Sequence, residues 1–488
     1  MNPWYHRRNV TPFISVTPAE RLVLLGVLVA IAGVTLPFTL AADDVRRLLL
    51  YGAFLAYLLC LALPFLLRRV QLGIFHPIIF YIIWVGVRGL VNGQAVLPAT
   101  GLEYHRALTG VIEGDLNLLV AKSFLLDAIA VLSLYLGYMV GPRLRMPVFM
   151  IPKPQGLALK TAIWVGISTL GLVALVAIGD GLAQVLMQRG IASDQRIAAH
   201  VGGQWNYLAG IGVVAPIVWL AFQPSAIRRP VFWALLLAAL LLKFVSTGSR
   251  GGTVLPLIML GAIWTLHYKI VPYRAIVFGL LLALILIGGL GQLRAATQRA
   301  ATFEQVAVES NPIEWIRAAM DDLQRRSGED SGQLAILARV PDQVPYLYGE
   351  SYLSIPFIFV PSAVWGDKPD AGGKLNAIRI YEQPLTAIPP GPVGEAYWNF
   401  SFGGVVFVFA LYGTLLRLLA ALYRANSAHP GVTVFFVFAL FYMQPHTPSI
   451  YNFLHNVVPA AVIFVSFVMR IDGRIILKMA PGPFRPEM

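Results

Sequence analysis

Charge is scarce in this chain. Of its 488 residues only 12% are Asp, Glu, Lys or Arg, against 57% hydrophobic, and the mean hydropathy is +0.70. That leaves too little polar surface to coat a globule in water and excludes a soluble multi-domain protein. Cysteine is scarcer still. Cys60 is the single one and lies inside an apolar run, so no disulfide can form within the chain. No Cys/His spacing suits zinc, and no metal is expected. No small-residue cleavage site follows the first apolar run, so Met1 onward is expected to be retained. No internal repeat of the soluble kind is visible, nor an inverted repeat of the transporter kind.

What is present is a series of apolar runs, repeatedly 18 or more residues long, the mark of membrane-spanning helices. They fall at about 22–41, 48–67, 71–91, 120–141, a stretch ending at Asp180, 205–222, 230–247, a stretch after Gly252, 275–293, 402–422, 431–445 and 450–469. The net charge of +13 would suggest nucleic acid in a soluble protein. Here the basic residues sit mainly in short connections between runs, so the expected partner is a lipid bilayer and not nucleic acid. The connection from Arg143 to Lys160 carries Arg143, Arg145, Lys153 and Lys160 and no acid. With a cytoplasmic N-terminus, alternation places 68–69, 143–160, 228–229, 269–274, 424–430 and the tail inside. The acid-containing loops fall outside. The expectation is an all-α polytopic membrane protein with about twelve transmembrane helices and both termini cytoplasmic. Residues 1–293 form the first nine helices, 294–401 a long periplasmic loop, and 402–488 the last three helices and a tail.

The long insertion is expected to be partly helical, because a structureless loop of this length is unusual. Ile313, Ile316, Met320 and Leu323 have helical spacing, with Glu314 near the start and Arg325 and Arg326 near the end. Residues 346–360 are aromatic and apolar enough to lie at the bilayer interface.

Ionisable groups within or at the ends of membrane helices invite a functional reading. Arg250, in Gly248-Ser249-Arg250-Gly251-Gly252, is the sharpest: its guanidinium can grip phosphate through two parallel hydrogen bonds. The bland alternative is a turn residue that snorkels to the lipid headgroups. Arg294 and Arg299 follow the ninth run, and Arg339, Lys368, Lys374 and Arg379 lie in the insertion. Together they would form a cationic basin for a diphosphate lipid; singly each reads as a solvated loop charge. Arg88 and Asp127, in neighbouring runs, read as a structural ion pair. Glu395 is the preferred acid/base candidate: it follows a Pro/Gly-rich stretch and precedes a helix, where nearby apolar surface can raise a carboxylate's pKa. Its alternative is a capping carboxylate at a helix N-terminus. His446, in Gln444-Pro445-His446-Thr447-Pro448, is the second candidate for proton transfer, and His455 reads as a packing residue.

Four stretches taken in order resemble a known family. They are the Gly-Ser-Arg-Gly-Gly turn, Tyr348-Gly349-Glu350-Ser351-Tyr352, Pro361-x3-Trp365-x2-Lys368-Pro369, and Gly394-Glu395-x-Tyr397 before a helix. The resemblance is to the Wzy-type oligosaccharide repeat-unit polymerases of O-antigen, enterobacterial common antigen and exopolysaccharides. It implies joining of undecaprenyl-diphosphate-linked repeat units at the outer face of the inner membrane, with no cofactor. It also implies a chain-length regulator and a flippase as partners. Diphosphate contacts then fall to Arg250, Arg294, Lys368 and Arg379, proton transfer to Glu395 or His446, and sugar stacking to Tyr348, Tyr352, Trp365, Tyr397 and Trp398. Each of these aromatics reads equally as an interfacial residue. Ser362 stands where many relatives carry Arg, and no His-x9-Gly pattern of the O-antigen ligases surrounds His446 or His455. Ligase and lipid-linked-glycan transporter are the alternative readings.

Overall fold

The computed structural model describes residues 18–40, 45–66, 75–92, 115–178, 203–247, 250–271, 331–360, 365–384 and 387–469, with isolated positions between them. Among these, no strand occurs. The helices are α1 (Pro18–Leu40), α2 (Val45–Leu66), α3 (Pro77–Asn92), α4 (Leu116–Val140), α5 (Leu157–Ile178), α6 (Gly203–Ile211) and α7 (Val214–Phe222). They continue with α8 (Pro230–Thr247), α9 (Arg250–Tyr268), α10 (Ser331–Arg339), α11 (Gly372–Arg379), α12 (Pro392–Ala425), α13 (Pro430–Tyr442) and α14 (Thr447–Val468). Seven helical stretches among the described residues are long and apolar enough to cross a membrane: α2, α4, α5, the α6–α7 pair from Trp205, α8, α12 and α14. The chain is therefore a multi-pass helical membrane protein by length and composition. The ninth apolar run, 275–293, lies outside the described residues except for a few helical positions.

Two helices form the spine. Gly137 of α4 lies against the backbone of Ala410 in α12, and Gly413 of α12 lies against the carbonyl of Leu134, leaving no room for a Cβ on either side. Small residues at facing positions let membrane helices approach backbone to backbone. Phe54 and Tyr57 of α2 pack on Phe124 of α4 at ring distances of 5.2 and 5.7 Å.

Two apolar runs are not single straight helices. The sixth is broken between α6 and α7, where Gly212 donates its N–H to the Ser168 hydroxyl at 2.8 Å. The tenth begins inside the insertion, at Pro392, and kinks where Phe400 and Ser401 leave helical geometry; Ser401 has φ 55° and ψ −150°. Such backbone is strained for any residue but glycine.

Side-chain contacts at helix ends sort the bundle into two poles, because the bilayer core offers no water to orphaned N–H and C=O groups. At one pole Asp115 caps α4 by accepting from the N–H of Asn117, at 2.9 Å, and of Leu118, while pairing with Arg46 at the start of α2. At the other, Arg417 donates to the last carbonyls of α4, on Tyr138 and Met139. Asn426 there holds Pro147 and Phe149, and Lys160 donates to the carbonyls of Phe467, at 2.8 Å, and Met469 that close α14.

The insertion docks on the first pole rather than floating over it. Helix α10 buries Leu334, Ala335, Ile336 and Leu337, and Gln333 reaches α4 to donate to Ser123 at 2.8 Å and Asp127 at 3.2 Å. The sequence reading paired Asp127 with Arg88. Among the described residues the aspartate accepts from Gln333; the Arg88 side chain, and with it the expected pair, lies outside them. The helix expected from 312 onward is present over 313–317.

Candidate functional site

Where the insertion meets α14, a connected set of polar groups is buried. The amide N–H of Gly349 donates to Asn399 Oδ1 at 2.9 Å, and Asn399 Nδ2 donates to Ser351 Oγ at 2.9 Å. The Ser351 hydroxyl in turn bonds the Glu395 carboxylate. That carboxylate accepts the Thr447 N–H at 2.9 Å and its hydroxyl at 2.8 Å, and the Gly372 N–H donates to the same hydroxyl at 2.8 Å. Ser351, Glu395, Asn399 and Thr447 are each 0% exposed. The network joins the Tyr-Gly-Glu-Ser-Tyr and Gly-Glu-x-Tyr stretches to the turn that carries His446.

Local sequence explains the arrangement. Thr447 opens α14, so its N–H is one of the orphan donors of a helix start, and a carboxylate there also suits the helix dipole. Pro392 opens α12 and places Glu395 in its first turn, pointing at the neighbouring helix. Gly372 is required beside it, since a Cβ there would stand 2.5 Å from Glu395 Oε1. The short first part of α12 is closed by the insertion: Leu347 and Tyr348 donate their N–H groups to the carbonyls of Trp398 and Asn399.

This geometry favours the alternative role of Glu395, a cap, although burial raises its pKa as expected. A general base must reach the proton it removes, and this carboxylate is enclosed and engaged by neutral donors. It does the capping that the sequence left as its alternative, on the start of α14. His446, at the N-cap position of α14, is only partly buried. Burial, and then the nearby Glu395, holds the Tyr352 phenol well above its usual pKa. Its hydroxyl has no hydrogen-bond partner among the described residues.

Each described member of the expected cationic basin has a partner within the insertion. Arg379 forms a two-bond pair with Glu350 at 2.6 and 2.8 Å, which fills the fork meant for a diphosphate. Lys368 donates to the Val360 carbonyl at 2.6 Å, Lys374 pairs with Asp370 at 2.8 Å, and Arg339 donates to the Ile380 carbonyl at 2.7 Å. Arg294, Arg299, Ser362 and the Arg250 side chain lie outside the described residues; the Arg250 backbone opens α9.

The aromatic candidates divide. Tyr348 and Trp365 are exposed, at 75% and 40%, and remain available to a ligand. Tyr397 and Trp398 are core residues: Tyr397 lies under the Lys122 ammonium at 4.9 Å, and Trp398 donates to the Pro345 carbonyl at 3.2 Å. Lys122 escaped the sequence reading, although its position early in an apolar run was a signal of the kind that singled out Asp127. No known protein family, curated protein or solved structure matches the chain.

Proposed function

We propose that the chain is an inner-membrane glycosyltransferase that polymerises undecaprenyl-diphosphate-linked oligosaccharide repeat units. In this reading it has about twelve spans and cytoplasmic termini, with the 294–401 insertion on the periplasmic face. The observation that carries the reading is the buried network of Ser351, Glu395, Asn399 and Thr447. Two stretches quoted for the family resemblance, distant in sequence, meet there beside a histidine at the pole where the insertion docks.

The chemistry needs little more. The acceptor hydroxyl oxygen attacks the anomeric carbon of the donor, the bond from that carbon to the diphosphate breaks, and the lipid diphosphate departs. His446 takes the hydroxyl proton, which neutral imidazole does well near neutral pH. Glu395 is a positioning residue: by fixing the Thr447 backbone it fixes where the adjacent His446 stands. Arg250 and Arg294 stabilise the charge on the leaving diphosphate, and exposed Tyr348 and Trp365 offer faces to sugar rings. The donor is already activated, so no nucleotide sugar is consumed.

The test is reconstitution of the purified protein in liposomes with a lipid-linked repeat unit. A ladder of lengthened products supports polymerisation. A single transfer, seen only when a lipid A-core acceptor is supplied, would replace it with ligase activity, and the absence of any transfer would refute it.

A further inference from the structure

Lysines on the described helices are accounted for, with one exception. Lys160 closes the end of α14, Lys122 donates to the Leu337 carbonyl and lies over Tyr397, and Lys269 lies over the Tyr423 ring at 5.8 Å. Lys243, on the last turns of α8, has no hydrogen-bond acceptor and no carboxylate among the described residues. Its own carbonyl accepts from the Ser246 and Thr247 hydroxyls, but its ammonium keeps three unused donors. No acidic residue occurs anywhere between Asp194 and Glu304, a stretch that contains α6 to α9.

A lysine near a helix end ordinarily snorkels toward water. Lys243 does not. Its stem crosses the bare backbone of Gly210 in α6, where a methyl group would stand 2.9 Å from both Cδ and Nζ. Gly210 lies seven residues into α6 from Gly203, or about 10 Å along the helix axis at 1.5 Å per residue. The half-buried side chain therefore lies along a groove cut by a glycine between α6 and α8. The same stretch of α6 reaches α14 through the Tyr207 hydroxyl, which donates to the His455 carbonyl at 2.8 Å.

We infer that Lys243 is the binding cation for the phosphate headgroup of a membrane amphiphile, seated against Gly210 between α6 and α8. An ionised group at this depth is expensive and is retained where it pairs with a substrate or ion. Among the described residues nothing supplies its counter-charge, and a ligand is the source assigned here. An ammonium acts on phosphate as a point charge with three rotatable donors. That the phosphate is the lipid diphosphate of the donor rests on the polymerase reading; the anion site itself does not. Because the described cations of the insertion are engaged by its own carboxylates and carbonyls, Lys243 then supplies the contact that Lys368 and Arg379 were expected to make.

The experiment is a binding titration of the full-length protein in nanodiscs, using farnesyl diphosphate, phosphatidylglycerol and inorganic diphosphate as separate probes. Wild type binds farnesyl diphosphate best, and Lys243→Met weakens that binding by roughly 10–100-fold, the worth of one charge-assisted hydrogen bond. Lys243→Arg retains most of the affinity, and Gly210→Ala loses part of it by displacing the ammonium. The thermal midpoint of Lys243→Met stays level or rises, because a half-buried charge with no partner among the described residues has been removed. Unchanged binding in Lys243→Met overturns the inference, as does a fall in its midpoint that accompanies the loss. Equal, equally sensitive binding of phosphatidylglycerol overturns the assignment to the diphosphate, and inorganic diphosphate binding as tightly as the lipid overturns the assignment to an amphiphile. A product ladder from wild type with unchanged binding in Lys243→Met removes Lys243 and leaves the polymerase standing. Sensitive lipid binding without any ladder does the reverse.

Discussion

The carboxylate of Glu395 receives both the backbone N–H and the hydroxyl of Thr447, at 2.9 and 2.8 Å, across 52 positions of sequence. One acidic side chain thus closes the start of α14 and anchors the insertion to the bundle. At the far end of the same helix Lys160 binds the closing carbonyls. Both charges match the sign of the helix dipole, so α14 is held at its two ends by residues from other helices.

Removing the first tie should be costly. Glu395→Ala leaves the Thr447 N–H and hydroxyl buried without an acceptor, and each such group costs about 1–3 kcal/mol. Thr447→Ser keeps both donors and should stay close to wild type, whereas Thr447→Val loses only the hydroxyl and should fall between. Thermal melts in detergent would rank the three, and equal midpoints would mean that the tie carries no stability.

Gly372 offers an independent probe of the same place. Its backbone N–H binds Thr447, and a Cβ would stand 2.5 Å from the Glu395 carboxylate. Gly372→Ala is therefore expected to lower the midpoint as far as Glu395→Ala, and the double variant to be less than additive, since both disrupt one network. Full additivity in a double-mutant cycle would separate the two residues.

Arg379 and Glu350 should matter much less. Their side chains are 38% and 40% exposed, and pairs in water contribute about 0–1 kcal/mol. Arg379→Ala is expected to leave both the midpoint and affinity for a diphosphate lipid near wild type. A tenfold loss of that affinity would restore the diphosphate role first read for this residue.

At the opposite pole His429 caps α13 by accepting the Val432 N–H on Nδ1 at 3.2 Å, a bond that needs the neutral ring. Burial lowers its pKa from the ordinary 6.5, against a smaller upward pull from a backbone bond with Met150. Below 6.5 the unfolded chain takes up this proton more readily than the folded one. The cap's contribution is thus full above pH 6.5 and is lost as pH falls from there through the depressed folded value. Melts between pH 5 and 8 should show this slope, and His429→Asn, which can still cap, should flatten it.

Seven of the expected spans were legible among the described residues because apolar length is a direct physical requirement of a bilayer. Even the order within the insertion was partly visible in the spacing of Ile313 and Ile316. Backbone breaks were hidden, since hydropathy averages over Gly212 and over the Phe400–Ser401 kink without registering their torsions. Glu395 stood out as a carboxylate at a helix start, but its partner was invisible: nothing local in Thr447 announces a neighbour 52 positions away. The cations of the insertion misled for a related reason. A list of charges near a surface says nothing about pairing, and the acids that take up Arg379 and Lys374, Glu350 and Asp370, lie in the same insertion. Lys243 was passed over because one lysine in a long apolar run reads as a boundary mark until its neighbours are known to hold no acid.

The central claim is that glycosyl transfer occurs where the insertion is tied to α14, with His446 taking the proton and Glu395 holding it in place. Single-turnover transfer from a lipid-linked repeat unit, measured beside donor binding, tests this most directly. His446→Ala should bind donor normally and transfer about 10²–10⁴-fold more slowly, the usual contribution of a general base. Glu395→Gln, which keeps shape but exchanges one acceptor for a donor, should show the smaller loss of rate together with a lowered midpoint. Normal transfer by His446→Ala, with Glu395→Gln folded but inactive, would contradict the account and return the proton to the buried carboxylate.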